Sequence, residues 1–252
     1  MFPLPYRPPL NWILYAVLGL ELALLAGGLI FGKLNEEQTG RLPRPLRILL
    51  SALLVLAALL GWRAGAQGTP LEWFAALVFL GMAAGFVGDL IMAELIPVPS
   101  RLIFGMIAFG IGHLFYVGAI LDLMRKSPFT DTRIPVVMLI AVLGFCLWAW
   151  CTQVRNPGAS KAINIGSLLY GLLFGVMAAL AIALAMHDAH YTTLAAGALL
   201  FMASDLVLGN WVIRGHVWKS VNDLIWLTYA TGQMLIVYSV AAALNAWGLI
   251  SA

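Results

Sequence analysis

Charge is what this chain has least of. Of its 252 residues only 10% are Asp, Glu, Lys or Arg, while 62% are hydrophobic. A soluble globular domain carries about 25% charged and about 45–50% apolar residues. These proportions exclude an ordinary soluble fold and point to a polytopic membrane protein with a single domain, residues 1–252. The formal charge of +3 is small and comes from Arg and Lys in the polar loops. It informs orientation in a membrane and implies no nucleic-acid partner. Cysteine is nearly absent. Cys146 and Cys151 lie in one apolar segment, and five residues apart on a helix they point in different directions, which argues against a disulfide. There are four histidines, no HExxH, no CxxC and no histidine cluster within an apolar run. His113 with two aspartates has the donor types of a zinc site, but without those motifs no metal and no other cofactor is expected.

Apolar runs dominate instead. A bilayer span needs about 20 mostly apolar residues, and eight segments qualify: 10–32, 45–63, 70–93, 99–124, 134–152, 161–187, 191–213 and 222–247. An all-α bundle of about eight transmembrane helices is the predicted fold. Punctuation rich in Pro, Gly and charge separates the spans, as in "GKLNEEQTGRLPRP" and "QVRNPGASK"; between spans six and seven the break is only "HDAH". The proline-rich start "MFPLPYRPPL" precedes an apolar run longer than a signal-peptide core, which predicts a retained first helix. Trp12, Trp62, Trp73, Trp148, Trp150, Trp211, Trp226 and Trp247 fall near span ends, where interfacial aromatic belts form.

Alternation of the spans assigns each polar residue to one side. With A the side of the N-terminus, Arg7, Arg63, Arg125, Lys126 and Arg133 lie toward A. Lys33, Arg41, Arg44, Arg47, Arg101, Arg155, Lys161, Arg214 and Lys219 lie toward B. Nine against five makes B cytoplasmic, with both termini outside. Asp89 ends an A-to-B span and Asp205 lies about two-thirds along another. Asn164, Ser167, Tyr170 and Tyr229 fall in the B halves of their spans, with His113 and Gln233 near the middle. Polar groups gathered from midplane to B predict a cavity opening to B.

An internal repeat relates the two acids. "GDLIMAE" (88–94) matches "SDLVLGN" (204–210), and "GIGHLFYV" (110–117) matches "ATGQMLIV" (230–237), at offsets of 116 and 120 residues. Four spans separate the copies, so both point the same way. This predicts a parallel repeat about the membrane normal, with halves roughly 10–124 and 134–247. Asp89 and Asp205 would then face one central cavity.

An acid at the bilayer centre costs at least about 2.5–3.5 kcal/mol on insertion scales, so such residues usually face the bundle interior and mark function. The plainer reading is an acid that caps a neighbouring helix or pairs with Arg. His113 and Tyr116 share a helix face, as do Tyr229 with Gln233 and Asn164 with Ser167 and Tyr170. Each set is also suited to gluing helices together. Glu21 stands alone in the first span and suggests a structural role. His187, His190 and His216 sit near span ends and read as loop residues.

The segments "GDLIM", "FGMIAFGIGHLFY" (104–116), "GALLFMASDLVL" (197–208) and "YATGQMLI" (229–236), with Tyr170, resemble in combination and order the YhhN-like lysoplasmalogenase family of eight-span membrane proteins. Helices one, two and five match only in hydrophobicity. Met92 stands where the family usually has Leu, and the proline often found before helix eight is absent. The resemblance implies hydrolysis of the vinyl ether bond of lysoplasmalogens to a fatty aldehyde and glycerophosphocholine or glycerophosphoethanolamine. The partners would be the lysophospholipid substrate and membrane lipid.

That chemistry needs a protonated acid, a second carboxylate and a slot for the alkyl chain. Asp89 and Asp205 suit the two acid roles, in either order, by analogy with glycosidases. His113, Tyr116, Tyr170, Tyr229, Gln233, Asn164 and Ser204 are candidates to orient water and substrate. Arg101, Lys161 and Lys219 are candidates to hold the phosphate. A proton-coupled transporter of solute or lipid also fits paired acids and a parallel repeat, as does a lipid-binding scaffold without turnover. A bacterial member would lie in the inner membrane and a eukaryotic one in an ER-type membrane. Headgroup, chain preference and oligomeric state leave no trace in the sequence. A C-terminal reporter that works only outside the cytoplasm is expected to be active; activity confined to a cytoplasmic reporter would reverse the orientation.

Overall fold

A computed structural model describes residues 9–127, 129 and 132–249. Arg7 and most of the proline-rich start lie outside the described residues. Among the described residues the chain is all-helical, and eight helices are long and apolar enough to cross a membrane. They are α1 (Leu10–Phe31), α2 (Arg44–Leu60), α3 (Glu72–Met92), α4 (Arg101–Lys126), α5 (Arg133–Ala149), α6 (Lys161–His187), α7 (Thr192–Val212) and α8 (Val221–Ala246). π-Helical turns extend α2 through Gly61–Ala66 and α5 through Trp150–Val154, and a 3-10 turn at Ala189–Tyr191 precedes α7.

Local chemistry sets the helix ends. Ser100 and Ser160 are N-caps, accepting from the backbone N–H of Ile103 and Ile163 at 3.4 and 3.2 Å. Proline stands in the first turn of α2, where its missing N–H costs nothing. The short "HDAH" break is a genuine corner. Asp188 leaves helical geometry at φ −142° and ψ 117°, and its carboxylate accepts from His190 N at 2.9 Å.

Two helix pairs form the centre, α3 on α4 and α7 on α8, and both depend on missing side chains. A Cβ on Gly112 of α4 would lie 2.9 Å from the Gly81 carbonyl oxygen of α3. A Cβ on Gly232 of α8 would lie 2.9 Å from the Gly197 carbonyl oxygen of α7. The two crossings stand at the same 116- and 120-residue offsets as the sequence motifs. Around them α2 packs on α3 and α8, and α6 packs on α4 and α7. α1 rests on α2 and the edge of α8, while α5 rests on α6. Both outer helices present large apolar side chains outward, including Trp12, Phe31, Ile140 and Trp148. Trp226 departs from the interfacial-belt expectation, because it is buried beneath the Arg47 guanidinium at 5.6 Å.

The α1–α2 loop is tied across the B end of the bundle. Asn222 N donates to Thr39 O at 2.8 Å, and Arg41 pairs with Asp223 at 2.7 Å. Glu21 is fully buried in α1, away from the cavity described below.

Overpacking a tight contact costs about 1–3 kcal/mol. Gly112→Leu is therefore expected to lower the thermal midpoint in detergent by several degrees. Gly19→Leu, at a position where a Cβ meets nothing within 4 Å, is expected to leave it nearly unchanged. Equal midpoints for the two variants would contradict the crossing.

Candidate active site

Asp89 is buried in α3, and Asp205 of α7 keeps only 6% of its side chain exposed. A buried carboxylate without donors is expensive, and each is approached by polar side chains from two neighbouring helices. Asp89 Oδ2 accepts from Ser51 Oγ of α2 at 2.6 Å and from Tyr229 Oη of α8 at 2.7 Å. Asp205 accepts from Tyr170 Oη of α6 in a short hydrogen bond, and His113 Nε2 of α4 stands 3.5 Å away. Asp205 and Arg47 both lie within electrostatic range of Asp89.

Further groups stand behind the acids. The fully buried His113 places Nε2 3.3 Å from Tyr170 Oη and Nδ1 3.3 Å from Met177 Sδ. Its ring packs on Phe201 with centroids 4.6 Å apart. Tyr116 Oη donates to Gln233 Oε1 at 2.7 Å. Gln233 Nε2 is buried without a hydrogen-bond partner. A Cβ on Gly85 would lie 3.4 Å from that nitrogen and 3.7 Å from Tyr229 Oη, so the free donor sits close to the Asp89 cluster.

Both acids line one cavity of about 610 Å³, within the range of about 300–1,000 Å³ typical of small-molecule sites. Its walls include Arg44, Arg47, Ser204, Trp226 and Tyr229, and it reaches exposed Glu37 and Arg101 at the B end. A second, narrower and apolar cavity of about 60 Å³ lies among α4, α5, α6 and α7. Leu102, Asp205 and Leu208 line both cavities, so the two meet at Asp205.

The structure thus brings Asp89, Asp205, His113, Tyr170 and Tyr229 into one cluster, with Tyr116 and Gln233 directly behind it. Ser204 lines the cavity and donates to Ile225 O at 3.2 Å. Asn164 is elsewhere. Its side chain fastens the α5–α6 loop, donating to Asn156 O at 2.8 Å and accepting from Asn156 N at 3.0 Å. Lys161 and Lys219 are exposed and do not line the cavity. Arg101 does line it, while pairing with Glu94.

Arg47 and Ser51 escape the sequence reading. They stand four residues apart, on one face of α2, and that spacing of a cation and a hydroxyl in "RPLRILLSALL" was the available signal. Arg47 Nε is buried without a hydrogen-bond partner. Among the described residues no group of three or more His, Cys, Asp or Glu is placed to hold a metal ion.

Fold and site together define a polytopic membrane protein with a paired-acid cavity inside its helix bundle. The chain belongs to the YhhN family, whose model matches residues 44–240, from the start of α2 nearly to the end of α8. A protein named lysoplasmalogenase from Mycobacterium bovis is 29% identical over 248 residues, covering 93% of this chain and 86% of the relative. A protein of the same name from Mycobacterium tuberculosis matches to the same extent. No solved structure matches the chain.

Proposed function

We propose that this protein is a lysoplasmalogenase, an ether-bond hydrolase that cleaves the vinyl ether of a lysoplasmalogen by acid–base catalysis at Asp89 and Asp205. The supporting observation is that two buried carboxylates from different helices open onto one cavity that also carries cations. The name shared by the mycobacterial relatives points the same way.

In this mechanism one of the two acids, protonated, gives its proton to the β-carbon of the vinyl ether. The alkene electrons form the new C–H bond, and an oxocarbenium ion develops across the α-carbon and the ether oxygen. The other carboxylate faces that cation and takes a proton from water as the water oxygen bonds to the α-carbon. The resulting hemiacetal collapses. Its bond to the glycerol oxygen breaks as the second carboxyl, now protonated, gives its proton to that oxygen and the first, now a carboxylate, takes the proton of the hemiacetal hydroxyl; the oxygen leaves as the alcohol of glycerophosphocholine or glycerophosphoethanolamine, and the chain leaves as an aldehyde. One water is consumed and both carboxyls return to their starting states.

The surrounding groups have matching tasks. Tyr229 and Ser51 fix the Asp89 carboxyl, while Tyr170 and His113 fix that of Asp205. Tyr116 sets the Gln233 amide, whose Nε2 backs the Asp89–Tyr229 pair from behind. Arg47, with Arg44 and Arg101, supplies positive charge for the phosphate. The cavity mouth lies at the B end, so the nine-to-five bias of Lys and Arg puts it on the cytoplasmic side. The parallel repeat, with halves roughly 10–124 and 134–247, belongs to the same reading: each half contributes one acid.

General acid–base catalysis contributes about 10²–10⁴-fold. Asp89→Asn and Asp205→Asn are each expected to lower aldehyde release from purified protein at least a hundredfold while the protein stays monodisperse. Near-normal turnover in either variant removes that residue from the chemistry. Solute or lipid movement in proteoliposomes without aldehyde would instead identify a carrier.

A hydrogen bond to a charged group is worth about 1.5–3 kcal/mol. Arg47→Gln is therefore expected to raise KM for lysoplasmalogen about ten- to hundredfold with a much smaller change in kcat. An unchanged KM would exclude Arg47 from phosphate binding.

A further inference from the structure

The narrow apolar cavity beside Asp205 has no role in the proton transfers, yet it opens onto the site where they would occur. Its walls come from four helices, with Met106 of α4, Phe145 and Cys146 of α5, Phe174 of α6 and Met202 of α7. Helix α5 otherwise rests mainly on α6. Its π-helical end is fastened across the cavity, where Trp150 Nε1 donates to Ser167 Oγ at 3.1 Å and Asn210 Nδ2 of α7 donates to Gln153 O at 2.8 Å. The wall is therefore a built one. It closes toward A where α5 and α6 touch, because a Cβ on Gly175 would lie 2.8 Å from Cys146 Sγ. Beside it Phe145 is exposed on the lipid-facing surface.

We propose that this slot binds a single unbranched hydrocarbon chain, gripping the part nearest the reacting bond, and that the rest of the chain leaves past Phe145 into the bilayer. The proposal rests on the lysoplasmalogenase reading for the identity of the headgroup. Three observations fix the ligand class. The larger cavity, of mixed lining, presents Arg44 and Arg47 and has room for a headgroup. The slot is mainly apolar and small, about 60 Å³ against about 610 Å³ for the larger cavity. The two meet at Asp205, so polarity changes at the residue proposed to work on the bond between head and chain. A phospholipid with one chain, its phosphate toward the arginines, has that sequence of polarity.

Slot length bounds what is gripped. Ser167 and Phe174 both line it, and seven residues of helix rise about 10 Å. Half of a bilayer's hydrocarbon core is about 15 Å, so a full-length membrane chain overruns the slot and must emerge at its rim. An extended chain advances about 1.2 Å per bond, which bounds the grip at about eight carbons.

The test uses the full chain in nanodiscs and 1-O-alkyl lysophosphatidylethanolamine, which lacks the vinyl bond and is not turned over. One probe carries a diazirine at chain carbon 6 and another at carbon 16. Peptide mapping after irradiation is expected to place the carbon-6 label on slot residues of α5, α6 and α7, and the carbon-16 label on the outer surface around Phe145 or on lipid. Gly171 supplies a plug, because a Cβ there meets only Phe174, at 3.8 Å. Gly171→Leu is expected to reduce carbon-6 labelling of the slot at least tenfold. With the alkenyl substrates, kcat/KM is expected to climb about fourfold per methylene up to about eight carbons and then level.

Carbon-6 labelling spread over exterior helices such as α1 overturns the proposal, as does a kcat/KM that keeps rising to sixteen carbons. Slot labelling without aldehyde release from the alkenyl lipid sinks the hydrolase reading and keeps the slot. Aldehyde release with an unlabelled slot does the reverse.

Discussion

A carboxylate inside a helix bundle must be given hydrogen-bond donors or it will not stay there, and the centre of this molecule is organised around meeting that demand twice. The acid on α3 is met by α2 and α8; the acid on α7 is met by α6 and α4. No single neighbour serves both. Four helices must therefore come close to the two acid-bearing ones. The bare backbones at Gly81–Gly112 and Gly197–Gly232 join α4 to α3 and α8 to α7, so each acid-bearing helix is packed closely on one that serves the other acid. The same requirement explains why α1 and α5 are peripheral: neither supplies a donor to either acid.

Charge is distributed unevenly about the second acid. On one side of Asp205 the walls carry arginines and reach the loop that joins α1 to α2; on the other they carry no charge besides Asp205 itself and are mostly apolar. On the reading proposed above, a lipid brought to this place is aligned by its phosphate beside the arginines and its chain in the slot. Burial of the chain orients the reactant before any proton moves, an entropic advantage of the kind that positioning confers in catalysis.

Much of this is legible in the chain. Spans whose apolar runs end in Pro, Gly and charge fall within three residues of the observed helices, with the turns that extend α2, α5 and α7 counted as part of them. Asp89, Asp205, His113, Tyr170 and Tyr229 stand out because polar groups are rare in such runs, and rarity made them findable. Ser51 and Arg47 were missed for a physical reason. Their helix carries no motif, and whether a lone cation near a helix start points to solvent or inward depends on the rotation of that helix against its neighbours, which pattern alone does not fix. Trp226 was misplaced for the same reason, since its depth depends on where α8 enters the bundle. Lys161, Lys219 and Asn164 were drawn in by their side of the membrane, whereas closeness to the cavity is a matter of which helix face they occupy. The slot has no sequence signature at all: its walls come from four helices and exist only after packing.

The offsets that align the two acids also align residues that no longer match. Position 109 corresponds to 229, and 113 to 233. Tyr229 reaches Asp89 with its hydroxyl, whereas Phe109 at the equivalent place has none to offer and packs on Gly88 instead. His113 approaches Asp205, whereas Gln233 turns to Tyr116. The two acids consequently live in unlike surroundings, one held by two hydroxyls beside an arginine, the other by a phenol and an imidazole beside an apolar wall. Near-symmetry of the scaffold ends in handedness at the site. The two acids are not interchangeable, and on the reading proposed above a substrate meets a different chemistry at each.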